Sequence, residues 1–187
     1  MNLDMRENPI VVNLFGGPGC GKSTVAAGLF YKLKCDGFYD CELVTEVAKD
    51  IIWSGASHQL ANQPYVFGEQ YFRLWRLIGK VDVIITDSPI LLSVNYDVTK
   101  TQEFEDLCLA KFREFNNQNF YLTRTDYQQP FVLNGRVNDL ESSLIKDKEI
   151  RDTLNKHKII TSIINGKTSE EKTDKIYKII LEIMKYS

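Results

Sequence analysis

The residues Gly16-Gly17-Pro18-Gly19-Cys20-Gly21-Lys22-Ser23 carry the most specific chemistry in the chain. They match a glycine, four variable positions and then Gly-Lys-Ser/Thr, the pattern of a loop that cradles phosphates. Glycines let the backbone curl so that its N–H groups converge on phosphate oxygens. A helix beginning at the end of such a loop adds free N–H groups and a favourable dipole. Lys22 then supplies a mobile positive charge for the β- and γ-phosphates, Ser23 a hydroxyl for Mg²⁺, and Thr24 a reach to the α-phosphate. This set binds a nucleoside triphosphate, with ATP and Mg²⁺ as the expected ligands.

Carboxylates placed after apolar runs come next. Asp87 ends Ile84-Ile85-Thr86 and is positioned to hold Mg²⁺, directly or through water. An Asp before Ser-Pro is also an ordinary turn former. Glu46 follows Leu43-Val44-Thr45 and can accept the proton of an attacking hydroxyl, or it is a first-turn acid favoured by a helix dipole. Asp50 competes more weakly for that role. Gln70 and Arg73 lie three apart and share a helix face. Gln70 can read a base edge with its donor and acceptor, with nearby aromatics stacking on the base. The bland alternative is a solvated polar face whose aromatics, with Trp53, Tyr65 and Trp75, pack in the core. Arg124 and Arg136 bracket a segment without apolar period. Guanidinium groups suit transferring phosphoryl charge, and a loop carrying them can close over ATP and exclude water; Asp139 is the candidate partner of Arg136. The alternative is an ordinary surface loop. His58 and His157 read as surface residues without a role.

The elements that must position these groups follow from periodicity. Short apolar runs at 10–15, 42–45, 81–86, 120–122 and 158–164 read as strands. Helical patterns at 22–34, 63–79, 102–115, 141–155 and 170–185 separate or follow them. Strands alternating with helices predict an α/β fold of three layers, a parallel sheet flanked by helices, with an arginine-bearing lid at 123–140. Ligands gather at the carboxyl ends of strands in such sheets, where Lys22, Glu46, Asp87 and Arg124 fall.

At 187 residues, the chain reads as one domain. Hydrophobic residues at 43% and charged residues at 26% are the balance of a soluble globular protein. A net charge of −2 gives no global field for nucleic acid, though it leaves a local basic groove open. Cys20, Cys35, Cys41 and Cys108 form no C-x-x-C pair and read as reduced thiols. The first residues have no apolar signal-like run, and no segment approaches membrane-spanning length. The expectation is a cytoplasmic protein with no membrane partner.

In the order of its loop, carboxylates and arginines, nearly the whole chain resembles the phosphate-loop kinases of nucleosides, nucleotides and polynucleotide ends. Within them it is most similar to the nicotinamide-riboside-kinase-like ATPase group and to small phage kinases, some of which phosphorylate hydroxymethylated bases in DNA. The resemblance implies Gly16 to Thr24 as the ATP site, Glu46 as an acidic base, Gln70 and Arg73 on the acceptor-holding stretch, and Arg124 and Arg136 as lid arginines. Asp87-Ser88-Pro89 resembles the acidic-Arg-Ser motif of nucleoside kinases without its arginine. The expected activity is transfer of the γ-phosphoryl of ATP to a hydroxyl or phosphate of a nucleoside, a nucleotide or a DNA-borne base. The rival is a nucleotide-switched NTPase or binding module with a protein or nucleic-acid partner. Such a switch needs a water-positioning glutamine after the third strand, which Ser88-Pro89-Ile90 does not supply.

Overall fold

The computed structural model describes residues 6–124 and 140–185. Strand β1, Ile10–Phe15, is buried at every position, as β-branched and apolar residues on both faces require when both faces are covered. Its alternation sends Val12 and Leu14 to one side and Val11 and Phe15 to the other. Strands β2 (Cys41–Val44), β3 (Val83–Thr86), β4 (Asn116–Leu122) and β5 (Ser162–Ile164) complete a sheet of order β2-β3-β1-β4-β5. All its pairings are parallel. The predicted three-layer α/β arrangement is therefore present. The chain turns back at β1, which has β3 on one side and β4 on the other, so the loop after β1 opens at the topological switch point.

One face of the sheet is covered by helix α1 (Lys22–Asp36) and by α7 (Ser169–Lys185), which pack Val25, Leu29, Leu33, Ile176, Ile180 and Met184 on it. The other carries α3 (Gln63–Trp75), α5 (Gln102–Phe112) and α6 (Leu140–Lys156), which bury Phe67, Leu74, Phe104, Phe112, Ile150 and Leu154. Between β2 and α3 lies α2 (Val47–Trp53) and a 3₁₀ turn at Ser57–Ala61; a 3₁₀ turn at Ile90–Leu92 runs into α4 (Ser93–Tyr96) after β3. Helix α1 is entered through Gly21 at φ 91° and left through Gly37 at φ 68°, whose N–H returns to the Leu33 carbonyl as an αL cap.

Several boundaries differ from the sequence expectation. β4 starts at Asn116 rather than Phe120. Its first residues are amides, so no apolar run marks them; their side chains instead knit to β1, with Asn13 donating to Asn117 Oδ1 at 2.7 Å and Asn119 Oδ1 at 3.1 Å. β5 is shorter than 158–164 because Lys158 takes φ 54° just past the end of α6. The helix expected over 63–79 ends at Trp75 and turns to Gly79 at φ 77°. Trp53 (68% exposed), Tyr65 and Trp75 lie on the outside rather than in the core. Among the described residues, no helix is long and apolar enough to cross a membrane.

Candidate active site

The loop from Gly16 to Ser23 leaves the end of β1 and delivers Lys22 and Ser23 to the first turn of α1. Lys22 Nζ donates to the carbonyls of Gly16 at 2.7 Å and Gly17 at 3.0 Å, so the ammonium lies across the mouth of the loop. A cavity of about 340 Å³ opens there. Its loop side holds Lys22, Ser23 and Thr24 together with Asp87 from the end of β3. Glu46 and the apolar side chains Ala48, Ile52, Leu60, Val66 and Leu92 line the same cavity. Gln63, Ser93 and Tyr96 add hydrogen-bonding groups.

Asp87 is 5% exposed, and among the described residues its Oδ1 is buried without a hydrogen-bond partner. A carboxylate oxygen in that condition costs free energy unless something pairs with it. Together with the Ser23 hydroxyl it fits Mg²⁺, which takes one or two protein oxygens and completes its shell with phosphates and waters. Glu46 is the residue just before α2, with extended backbone at φ −65° and ψ 120°. Glu46 lines the cavity from there. Burial, and next the Glu46 charge, raise the Tyr96 phenol well above its ordinary value, so it stays a protonated donor.

Gln70 and Arg73 do not line the cavity. Gln70 is 3% exposed; its Oε1 accepts from Val47 N–H at 2.9 Å and its Nε2 donates to the Thr45 carbonyl at 3.3 Å. Arg73 donates to the same carbonyl at 3.4 Å and to Asp50 Oδ2 at 2.7 Å. Arg124 is held behind the loop. Its Nε pairs with Asp147 Oδ2, and its Nη2 donates to the carbonyls of Pro18 at 2.8 Å and Ser143 at 3.2 Å. Arg136 and Asp139, with most of the candidate lid, lie outside the described residues. His157 is not a free surface residue: its ring contacts Glu105 Oε1 at 2.5 Å beside Lys156.

Asp147 is a residue that sequence reasoning passed over. It is 7% exposed, and its Oδ1 accepts the N–H of Gly17 at 2.5 Å and the hydroxyl of Tyr121 at 3.3 Å. Its neighbours Lys146, Lys148 and Glu149 are all charged. The signal was in the period: Ser143, Asp147, Ile150 and Leu154 recur on one face and are all buried. Lys172 braces the same region. Burial lowers its ammonium from the usual lysine range, and it donates to the Thr123 carbonyl at 2.5 Å. All four cysteines carry free thiols, and burial pushes Cys41 up to about 11 and Cys108 up to about 12.

A family model described as an AAA domain matches residues 11–172. The chain belongs to that family. Among solved structures it is similar to the NadR protein in complex with NR, with a TM-score of 0.71 at 13% identity over 93% of this chain and 52% of that one. NadR in complex with NAD and AMP-PNP gives a TM-score of 0.68 at 13% identity, over 93% and 50%. Deoxyadenosine kinase from M. mycoides gives 0.55 at 16% identity, over 92% and 99%. The AAA domain thus spans about half the length of the NadR chains it matches. At these identities the likeness is one of fold, and at that level the resemblance to the phosphate-loop kinases holds. No curated protein matches the sequence.

Proposed function

We propose that this AAA domain is an ATP- and Mg²⁺-dependent phosphotransferase that moves the γ-phosphoryl group onto a hydroxyl of a small acceptor of the nucleoside class. The observation that carries the reading is one cavity lined both by the phosphate-binding groups Lys22, Ser23 and Thr24 and by Glu46 with a set of apolar side chains. An enzyme that hands phosphate to water has no use for an apolar lining beside its phosphate-binding groups. Ala48, Ile52, Leu60, Val66 and Leu92 suit the faces of a base or similar ring, with Gln63, Ser93 and Tyr96 for its polar edge. Lys22 is the sole cation among the described lining residues, beside two carboxylates. That charge balance favours a hydroxyl-bearing acceptor without negative charge over one bearing its own phosphate, and it favours a free small molecule over DNA. The NadR complex with NR and the deoxyadenosine kinase complex with dCMP lend the reading support by fold.

In this mechanism the acceptor oxygen attacks the γ-phosphorus in line as its proton passes to the Glu46 carboxylate. The bond from the γ-phosphorus to the β–γ bridging oxygen breaks, and ADP leaves. Lys22 and the loop N–H groups stabilise the equatorial oxygens, where most of the catalysis lies. Asp87 and Ser23 would hold Mg²⁺, by which charge on the β- and γ-phosphates is neutralised when it is bound. Arg136, and Arg124 if it leaves the back of the loop, would add charge from the lid.

The test is incubation with γ-labelled ATP, Mg²⁺ and separate panels of nucleosides, nucleoside monophosphates and DNA, with products identified by mass spectrometry. Label on nucleoside hydroxyls is the expected result. Label on monophosphates or DNA alone would move the acceptor class. Hydrolysis of ATP that no panel alters, but a protein or nucleic-acid partner stimulates, would overturn the proposal in favour of a nucleotide-switched NTPase.

A further inference from the structure

We propose that Gln70, assisted by Arg73, is a positioning residue that sets the place of the Glu46 carboxylate in the cavity. The inference rests on the role assigned above to Glu46.

The two hydrogen bonds of Gln70 go to the two peptide groups flanking Glu46. Its Oε1 takes the Val47 N–H at 2.9 Å, and its Nε2 gives to the Thr45 carbonyl at 3.3 Å. The first N–H groups of a helix have no partner within it, and the Glu46 side chain makes no hydrogen bond to cap α2. The Val47 N–H is instead taken by Gln70, and Glu46 lines the cavity. Arg73 adds a second donor on the Thr45 carbonyl and reaches Asp50 one turn into α2. Residues 45, 47 and 50 are thereby fastened to residues 70 and 73 on one face of α3. Two separate bonds across Glu46 fix both its position and its rotation about the chain, which one bond does not.

The clamp is also joined to the acceptor compartment. Gln63 and Val66 line the cavity from the same helix, on the stripe that continues to Gln70. An acceptor that shifts α3 therefore shifts the clamp and the carboxylate with it. A buried glutamine costs desolvation that a leucine at the same place does not. Its presence is accounted for by what its amide holds.

The energetic stakes follow from geometry. Displacing a catalytic group by about 1 Å costs roughly 10²-fold in rate. Loss of the clamp is expected to lower kcat and leave ATP binding alone, because Gln70 touches neither the phosphate loop nor the cavity.

The test is a double-mutant cycle of Glu46→Gln and Gln70→Leu, with nicotinamide riboside and deoxyadenosine as probe acceptors and with water as the acceptor in their absence. Expected is a fall in kcat of about tenfold or more for Gln70→Leu, an unchanged KM for ATP, an unchanged Kd for AMP-PNP, and no further loss when Glu46→Gln is already present. Losses that simply multiply across the cycle overturn the proposal, as does a Gln70→Leu protein with full kcat or with weakened AMP-PNP binding. A Glu46→Gln protein with full kcat removes the base reading and this proposal together. A slow Glu46→Gln beside a normal Gln70→Leu removes this proposal alone. If Gln70→Leu does not fold, Gln70→Glu is read in the same cycle, since it keeps the acceptor for Val47 N–H and gives up the donor to Thr45.

Discussion

Lys22 stands where two loop carbonyls and the open cavity meet, and its ammonium is at once the clasp of the loop and its charge. Lys22→Ala is expected to lower turnover by about 10²-fold or more, because a preorganised charge facing the transferring phosphoryl group is lost. ADP formation under saturating ATP measures it, and an unaffected variant would contradict any ATP-driven role for the loop. Asp87 offers a sharper test. Among the described residues its Oδ1 is buried without a partner, so Asp87→Asn keeps the shape and removes the charge. The Mg²⁺ concentration for half-maximal turnover should rise by about tenfold or more, while the melting temperature stays level or rises. A falling melting temperature with unchanged Mg²⁺ dependence would make Asp87 a structural turn residue instead.

Among the elements, α6 bears on the loop more directly than its charged sequence suggests. Through Asp147 it holds Gly17 N–H, and through Arg124 it reaches the Pro18 carbonyl. The approach is close enough to demand glycine: a Cβ on Gly17 would meet Asp147 Oδ1 at 2.6 Å and the Ser143 carbonyl at 2.8 Å. Gly17→Ala must therefore push α6 off the loop, at about 1–3 kcal/mol by the usual cost of overpacking. Thermal or urea denaturation reads that loss, and AMP-PNP affinity should weaken with it. Gly68 is the control, since an added Cβ there meets nothing within 4 Å; Gly68→Ala in the exposed part of α3 should stabilise by up to about 1 kcal/mol.

Across the whole molecule, long-range carboxylate pairs link separate helices. Glu105 on α5 is held below the usual carboxylate range by Lys156 first and by His157 after burial has opposed it. Asp97 is depressed too: burial works against ionisation, but the Thr99 hydroxyl and the N–H groups of Thr99, Thr101 and Lys100 outweigh it. For both groups the folded-state pKa lies below the unfolded one. Their contribution is thus complete above the unfolded carboxylate pKa of about 4, and it is lost as pH falls through the depressed folded values. The urea midpoint should drop below about pH 4, and Glu105→Gln should be less stable than the parent at neutral pH and flatter over that fall. A parallel profile for the variant would show that Glu105 takes no part.

The loop, Asp87 at the end of β3 and Glu46 after β2 were legible in the sequence because their signals are local. Glycine spacing, an apolar run and the residue that ends it are all contained in a few neighbouring positions. The alternation of strand and helix likewise fixed the parallel three-layer plan, since the period of each segment is a property of that segment. The polar start of β4 was not legible, because Asn117 and Asn119 earn their places by bonding to Asn13 more than a hundred positions away. The same holds for Gln70, Arg124 and Asp147. A polar residue on a helix can face solvent, substrate or a distant peptide group, and composition assigns all three alike. The sequence by itself determined that a glycine-rich Gly-Lys-Ser loop heads a parallel sheet. Tertiary packing alone decided that Gln70 faces the peptides around Glu46, and that Arg124 and Asp147 grip the loop from behind, because hydrogen bonds over such separations depend on which helix faces the chain folds against each other.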